Sequence, residues 1–236
     1  AITDAAGSFD KADQVEIRNF AATRNVAEAC AAAEVKLIYP STTSVYGTQK
    51  DVVDEDCSPE ELKPQSPYAE TKLKEEALLT EMAAQGTLRH ITFRFGTIFG
   101  TSPGMRFHTA VNKFCFQAVM GQNLTVWSTA LDQKRPYLDL SDAVDVVVHT
   151  IKNGLFDGNI YNVVTANATV RQVVDAIRAH VPDLQISYVD TQIMNQLSYE
   201  VLADKIAAYG FTANGDMPGG IEATIKLLRQ AGGFAG

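Results

Sequence analysis

Tyr68 and Lys72 lie four residues apart in the segment Tyr68-Ala69-Glu70-Thr71-Lys72. Four-residue spacing places two side chains on the same face of a helix. A phenol with an ordinary pKa of about 10 is a weak base at neutral pH, and a nearby ammonium favours its ionised form. The pair can therefore exchange a proton with a hydroxyl group. An exposed pair without chemistry has the same spacing, so the residues alone leave both interpretations open.

Four hydroxyl residues, Ser41, Thr42, Thr43 and Ser44, follow a short apolar segment. That segment, Lys36-Leu37-Ile38-Tyr39, is predicted to form a buried strand. A hydroxyl at the end of a strand can reach a ligand. Serine and threonine also satisfy backbone groups in turns, and the cluster alone does not choose between these roles.

The elements that must position these residues alternate between helix and strand. Helices are predicted over 13–33, from apolar residues at helical spacing, and over about 67–85, with Pro67 in the first turn. Strands are predicted at 36–39 and at 90–95, where β-forming residues alternate. This alternation with short connections implies parallel crossover units. The predicted fold class is therefore α/β, a Rossmann-like doubly wound sheet that binds ligands at the carboxyl ends of its strands.

The alternation of predicted helices and strands becomes less regular after Gly100. We expect a sheet domain over 1–100, rejoined by about 143–164, and a smaller interleaved lobe over 101–142 and 165–236. Asp142 is predicted to cap a helix. The further helices are expected near 108–120, 142–152, 169–181 and 219–231, and the further strands at 124–127, 137–140, 159–164 and 185–189.

The composition argues against several functions. With 28 acidic and 20 basic side chains the formal charge is −8, which argues against nucleic acid and anionic membranes as partners. The 3 cysteines match neither a disulfide framework nor a zinc pattern, and the 4 histidines stand singly, so no metal site is predicted. No apolar stretch approaches the roughly 20 residues that cross a bilayer. We therefore expect a soluble, cytoplasmic protein.

The three motifs follow one another along the chain in a defined order of strands and helices. The hydroxyl cluster follows one strand, the Tyr68/Lys72 pair opens the next helix, and Arg94-Phe95-Gly96-Thr97-Ile98-Phe99-Gly100 ends the next strand. In this order and spacing the chain resembles the NAD-dependent epimerase/dehydratase family, the extended short-chain dehydrogenases that act on nucleotide sugars. The resemblance covers nearly the whole chain. It implies that the sheet domain binds the cofactor and that the smaller lobe binds the substrate.

The resemblance implies a catalytic role for three residues. Thr42 matches the family's catalytic serine or threonine and is expected to hydrogen-bond the reacting hydroxyl. Tyr68 and Lys72 match its Tyr-x-x-x-Lys pair, in which the tyrosine moves the proton. Asn19 matches an asparagine of the preceding helix, for which helix packing is an equal alternative. The implied cofactor is NAD or NADP, with expected contacts from Ser41, Tyr68, Lys72, Phe95, Gly96 and Thr97.

The resemblance also implies a nucleotide-sugar substrate. Met105-Arg106-Phe107 and Val111-Asn112-Lys113-Phe114 resemble the loop and helix that cover it, and Arg135 resembles the arginine that meets the diphosphate. A solvated surface charge is the alternative for both arginines. The family's usual dimer packs helices like 13–33 and 67–85 together, so a homodimer is expected. The implied substrate contacts are Thr42, Thr43, Arg106, Asn112 and Arg135.

The chain departs from the family pattern in two places. It contains no Gly-x-x-Gly-x-x-Gly turn for the cofactor pyrophosphate, and its start at Ala1 resembles the loop after the family's fourth strand. We therefore expect it to lack roughly the first quarter of the fold and to depend on a partner chain. Thr43 and Ser44 stand where dehydratases carry an acidic residue, which ranks epimerase above reductase or dehydrogenase, and these above dehydratase. An inactive binding fragment is the alternative from another class.

Overall fold

The structure is a computed structural model that describes residues 2–3, 6–46, 51–189 and 198–232. Contacts within the chain divide it into two compact units, each built from helices and strands. Unit 1 comprises Ala1–Phe95, Asp145–Val163 and Leu202–Thr212, and unit 2 comprises Gly96–Val144, Val164–Val201 and Ala213–Gly236.

The elements of the described ranges follow in chain order. The strands are β1 (Leu37–Thr42), β2 (Val52–Val53), β3 (His90–Phe95), β4 (Thr97–Phe99), β5 (Leu124–Trp127), β6 (Lys134–Asp139), β7 (Ile160–Val163), β8 (Ala166–Thr169), β9 (Ile186–Val189) and β10 (Glu200–Val201). The helices are α1 (Ala12–Val15), α2 (Ala21–Ala32), α3 (Pro67–Ala84), α4 (Ala110–Val119), α5 (Leu140–Asn153), α6 (Val170–Arg178), α7 (Asp204–Ala207) and α8 (Met217–Ala231).

Unit 1 contains a parallel sheet in the order β1-β3-β7. Helices α2 and α3 pack together, and α3 also contacts β1 and β3. A small apolar cluster under these helices includes Ala27, Tyr39, Leu79 and Leu88. Parallel strands buried by helices require such continuous apolar segments, which is why the apolar run at β1 and the β-forming run at β3 predict strands correctly.

Helix α3 has clear start and stop signals. The hydroxyl of Ser66 accepts a hydrogen bond from the Ala69 backbone N–H at 3.2 Å, and Pro67 occupies the first turn. After the helix, Gly86 adopts a φ of +70°, which glycine reaches without steric cost. The buried face of α3 is unusual because most of it is polar or charged: it consists of Ala69, Thr71, Lys72, Glu75, Glu76 and Leu79.

Unit 2 combines two small sheets with three packed helices. Strand β6 pairs in parallel with β4 and antiparallel with β8, while β5 pairs in parallel with β9. Helices α4, α6 and α8 pack against one another around an apolar core. Thr169 and Gln172 form a reciprocal capping box at the start of α6. Fully buried members of the core are Val111, Cys115, Leu124, Val173, Ile177 and Ile221.

The α/β fold class is confirmed, and its boundaries differ from the prediction in two informative places. Strand β1 continues to Thr42, so Ser41 and Thr42 belong to the strand and not to the loop. The predicted helix over 13–33 contains a π-helical stretch, Glu16–Phe20, between α1 and α2. The short strands β4 and β8 were not predicted, because three or four residues are too few to establish a periodicity.

The predicted cap at Asp142 is wrong. Helix α5 begins at Leu140, and Asp139 performs the capping because its carboxylate accepts a hydrogen bond from the Ser141 N–H at 2.8 Å. The Asp142 carboxylate instead accepts backbone N–H groups of Asn214 at 2.8 Å and Gly215 at 3.0 Å. Asp142 therefore anchors the segment that leads into α8.

Within the described ranges, no helix is both long and apolar enough to cross a membrane. Nor do those ranges contain a group of three or more His, Cys, Asp or Glu side chains that could hold a metal ion. The cysteines Cys30, Cys57 and Cys115 are free thiols.

Candidate active site

The Tyr68/Lys72 pair lies in the first turns of α3, on the side that faces β1. Tyr68 is half-buried, whereas Lys72 is only 7% exposed. The Lys72 Nζ lies 5.9 Å from the centroid of the Tyr68 ring. The structure therefore brings together the phenol and the ammonium that the spacing predicted, inside the unit and not on a solvated face.

Lys72 connects α3 to strand β1. Its Nζ donates hydrogen bonds to the Tyr39 Oη at 2.9 Å and to the Pro40 carbonyl oxygen at 3.0 Å. It also forms an ion pair with Glu75, with 3.4 Å between Nζ and Oε2. An ammonium has three N–H donors, so the third is directed to Glu75 beyond the two hydrogen bonds. The lysine is thus held in one position beside Tyr68.

Glu75 completes this arrangement and was not predicted as a site residue. Its side chain is fully buried, and the Thr23 hydroxyl donates to Oε1 at 2.8 Å. The Tyr39 hydroxyl donates to Oε2. Thr23 lies on α2 and Tyr39 on β1, so one carboxylate joins three elements. We call Thr23, Tyr39, Lys72 and Glu75 the Glu75 cluster.

Burial and charge set the ionisation of the pair. Burial, with a further contribution from the negative charge of Glu75, raises the pKa of Tyr68 to about 12. Burial lowers the pKa of Lys72, while Glu75 and Glu76 act in the opposite direction. Tyr68 therefore keeps its proton at neutral pH.

A second buried carboxylate, Glu76, binds a different cation. The Arg94 Nη2 donates to its Oε2 at 2.7 Å and the Arg94 Nε to its Oε1 at 3.1 Å. The Ser41 hydroxyl also donates to Glu76. The Arg94 guanidinium stacks on Tyr46, 4.9 Å from the ring centroid, and the Tyr46 hydroxyl donates to the Asn162 Oδ1 at 2.8 Å. This network joins α3 to all three strands of the sheet.

The hydroxyl cluster at the end of β1 forms a tight turn. The Thr42 hydroxyl accepts the Ser44 N–H at 3.1 Å and donates to the Ser44 Oγ at 3.1 Å. The buried Thr43 hydroxyl donates to the Phe95 carbonyl oxygen at 3.3 Å. The turn-forming role considered for this cluster is therefore present. The expected contact of Thr42 with a reacting hydroxyl stays a prediction, as does the ligand role of Thr43.

The packing around Phe95, at the end of β3, and around Gly96 and Thr97 accounts for these residue types. Phe95 stacks on Phe93, with 5.7 Å between ring centroids. In unit 2, a Cβ on Gly96 would lie 3.1 Å from the Tyr137 backbone and 3.2 Å from that of Pro136, so this backbone approach requires a small residue. Thr97 begins β4 and is half-buried. Their cofactor contacts remain predictions.

Three predicted substrate contacts lie in unit 2. Arg106 is exposed, and the Arg135 guanidinium stacks on Tyr199, 5.5 Å from the ring centroid. Asn112 is buried, and its Oδ1 accepts the Gly100 N–H at 3.2 Å. In unit 1, the side chain of Asn19 pairs with the backbone of Ile2 at 2.7 and 2.9 Å, which agrees with the packing alternative.

The parallel sheet, with a tyrosine–lysine pair on the helix beside its first strand, defines a Rossmann-fold protein of the short-chain dehydrogenase type. The chain belongs to the NAD dependent epimerase/dehydratase family, whose model matches residues 1–163. The resemblance that the motifs carry is thereby confirmed.

Individual relatives agree with this family. The chain is 29% identical over 163 residues to the uncharacterized UDP-glucose epimerase YtcB of Bacillus subtilis (strain 168), covering 67% of this chain and 49% of the relative. It thus spans about half the length of that curated relative. MoeE5, solved in complex with UDP-glucose and NAD, is 27% identical with a TM-score of 0.76, over 89% of this chain and 70% of MoeE5.

A more distant structure has the same fold. The UDP-N-acetylglucosamine 4-epimerase from Methanobrevibacter ruminantium M1, in complex with UDP-N-acetylmuramic acid, superposes with a TM-score of 0.85. The superposition covers 98% of this chain and 75% of that chain. At 18% identity this likeness concerns the fold alone.

Proposed function

We propose that this chain carries the proton-transfer site of an NAD(P)-dependent nucleotide-sugar epimerase. The observation that carries the proposal is the Tyr68/Lys72 pair, in which the buried ammonium is fixed between α3 and β1 next to the half-buried phenol. Membership of the family supports the reaction class. The UDP-sugars named for its relatives support the substrate class.

In the proposed reaction, the phenolate form of Tyr68 accepts the proton of a sugar hydroxyl and later returns it. The charge of Lys72 reduces the cost of the phenolate, which is otherwise high in a buried site. The Thr42 hydroxyl orients the sugar hydroxyl. When bound, NAD supplies a hydride acceptor and donor at the sugar carbon. Because the same carbon loses and regains hydrogen, its configuration can invert.

The donors of unit 1 fit the ribose of a nicotinamide nucleotide. The Lys72 ammonium lies beside Tyr68, whose hydroxyl is presented on the same face of α3. A ribose offers hydroxyl oxygens that both groups can bind. We propose that these two residues hold the cofactor together with Ser41, Phe95, Gly96 and Thr97.

The remaining expectations concern the substrate and the assembly. We propose that Arg106, Asn112 and Arg135 contact the nucleotide sugar, with a guanidinium at the diphosphate. We also propose a homodimer formed through the helices of residues 13–33 and 67–85. Exposed apolar side chains on the first of these segments, Ile17 and Val26, suit such an interface.

Isothermal titration of the purified chain with NAD and with NADP, each with and without UDP-glucose, tests ligand binding. We expect binding of at least one cofactor and tighter binding of the sugar nucleotide in its presence. Binding of UDP-glucose without either cofactor would favour the inactive binding fragment. A chain that binds none of the three ligands would contradict the proposal.

Turnover is then tested by following the conversion of UDP-glucose to its 4-epimer. Tyr68→Phe removes the proton donor and is expected to lower the rate by roughly 100-fold to 10,000-fold while cofactor binding persists. Tyr188→Phe makes the same chemical change at an exposed tyrosine and serves as the control. Equal rates in the two variants would exclude Tyr68 as the acid/base.

A further inference from the structure

We propose that Glu75 is a positioning residue that fixes the Lys72 ammonium beside Tyr68 and keeps Tyr68 protonated in the ligand-free chain. The proposal rests on the proposed function, since it concerns the same tyrosine–lysine pair. Its test, however, requires neither cofactor nor turnover. It therefore succeeds or fails independently of the epimerase assignment.

Glu75 lies at the centre of the Glu75 cluster and is fully buried there. A fully buried carboxylate must be compensated by hydrogen bonds and an opposite charge. Here Oε1 accepts the Thr23 hydroxyl, and Oε2 accepts the Tyr39 hydroxyl and faces the Lys72 ammonium at 3.4 Å. Donors from α2, β1 and α3 thus converge on one side chain. A group in this position orients the lysine and does not merely neutralise it.

The hydrogen-bond directions indicate that Glu75 is ionised. An ammonium can only donate, so the Tyr39 oxygen accepts from Lys72 and its single proton is directed to Glu75. The Thr23 hydroxyl also donates to the carboxylate. A carboxylate acts only as an acceptor and matches these donors. Lys72 and Tyr39 are thereby locked into one orientation.

The buried charges around Tyr68 compensate one another in pairs. The charged groups of α3 that are buried here are Lys72, Glu75 and Glu76, and β3 contributes Arg94. Arg94 binds Glu76 through both its Nε and Nη2, which leaves Lys72 and Glu75 to compensate each other. A phenolate at Tyr68 would add a negative charge without a further cation.

The other charges near α3 are exposed and weigh less. The preceding helical segment contributes Glu16, whose Oε1 lies 2.6 Å from the Nζ of Lys74, and both side chains are about half exposed. Glu70 lies between Tyr68 and Lys72 in sequence, but its side chain is exposed. Water and salt screen such charges strongly. The carboxylate of Glu75 is therefore the one expected to act on Tyr68.

The test is a pH titration by ¹³C NMR with labelled tyrosine and lysine, using Tyr68→Phe and Lys72→Met to assign the two resonances. In Glu75→Gln we expect Tyr68 to titrate roughly one pH unit lower than in the unmodified chain. The Lys72 resonance is expected to titrate at lower pH too, because its anion is gone. Glu70→Gln, the same change on the exposed face of α3, should leave both titrations unchanged.

Two further variants separate charge from shape. Glu75→Asp retains the charge and should retain the high titration of Tyr68. Tyr39→Phe removes the bridging hydroxyl but leaves Glu75 charged, so Tyr68 should again titrate as in the unmodified chain; it also serves if Glu75→Gln does not fold. An unchanged Tyr68 titration in Glu75→Gln, or a lowered one in Tyr39→Phe, would overturn the proposal.

Discussion

Helix α3 of unit 1 and helix α8 of unit 2 span 18 and 15 residues, yet they bury different kinds of side chain. The buried face of α8 is largely apolar, with Met217, Ile221, Ile225 and Leu228. That of α3 carries the cluster of charged residues described above. Burial of apolar side chains stabilises the fold but does not require one particular orientation of each side chain. Buried charges, in contrast, are tolerated only where their partners lie at the correct positions.

This contrast indicates where function constrains the structure. Unit 2 gains stability in the ordinary way, through a continuous core around α4, α6 and α8. Unit 1 places two carboxylates, Glu75 and Glu76, inside the protein together with the cations Lys72 and Arg94, although apolar residues in place of a whole buried ion pair often cost little or nothing in stability. Their use is to hold Lys72 and α3 in one geometry relative to β1.

The largest effect is expected from breaking the charged network of α3. Arg94→Ala leaves Glu76 buried without its cation and should reduce the free energy of unfolding by about 3–5 kcal/mol. Urea denaturation measures this loss. The double change Arg94→Met with Glu76→Leu removes both charges and should recover most of it. A double variant no more stable than Arg94→Ala would show that the pair itself stabilises the fold.

The corresponding test in unit 2 adds volume to its apolar packing. A Cβ on Gly220 of α8 would lie 2.6 Å from the Phe99 Cε2, so Gly220→Ala should cost about 1–3 kcal/mol of unfolding free energy. Gly104→Ala is the control, because no atom lies within 4 Å of its added Cβ. Thermal unfolding of the two variants should separate them clearly, and equal melting temperatures would contradict tight packing at α8.

A smaller loss of unfolding free energy is expected at acidic pH. Burial lowers the pKa of His90 on β3, so the unfolded chain binds the proton more readily than the folded one. His90 is therefore expected to reduce stability as the pH falls below its unfolded value of about 6.5. Urea denaturation at pH 7.5 and 5.5 should show a steeper loss in the unmodified chain than in His90→Gln. Equal losses of unfolding free energy in the two chains would show that His90 does not cause the acid sensitivity.

The smallest effect is expected from an ion pair on the surface of unit 2. Arg171 bonds Asp132 at 2.8 and 2.9 Å, but both side chains are more than half exposed. Arg171→Ala should leave the unfolding free energy almost unchanged, because water and salt screen an exposed ion pair. A loss in urea denaturation as large as that of Arg94→Ala would mean that burial does not explain the difference between the two arginines.

The sequence by itself determined the α/β class, the strand at β3, the helix α3 and the Tyr68/Lys72 pair. These features are local, because periodicity and four-residue spacing report which side chains share a face. A local signal for Glu75 and Glu76 also exists, since they lie one helical turn after Lys72. Their charge alone would nevertheless assign them to a solvated face.

Only the tertiary structure decided what that face meets. Thr23 and Tyr39 lie 52 and 36 residues before Glu75 in the chain, and Asn214 lies 72 residues after Asp142. No periodicity within one element specifies such partners, because they depend on how separate helices and strands pack. For the same reason the sequence predicted a helix cap at Asp142 and did not predict the Glu75 cluster.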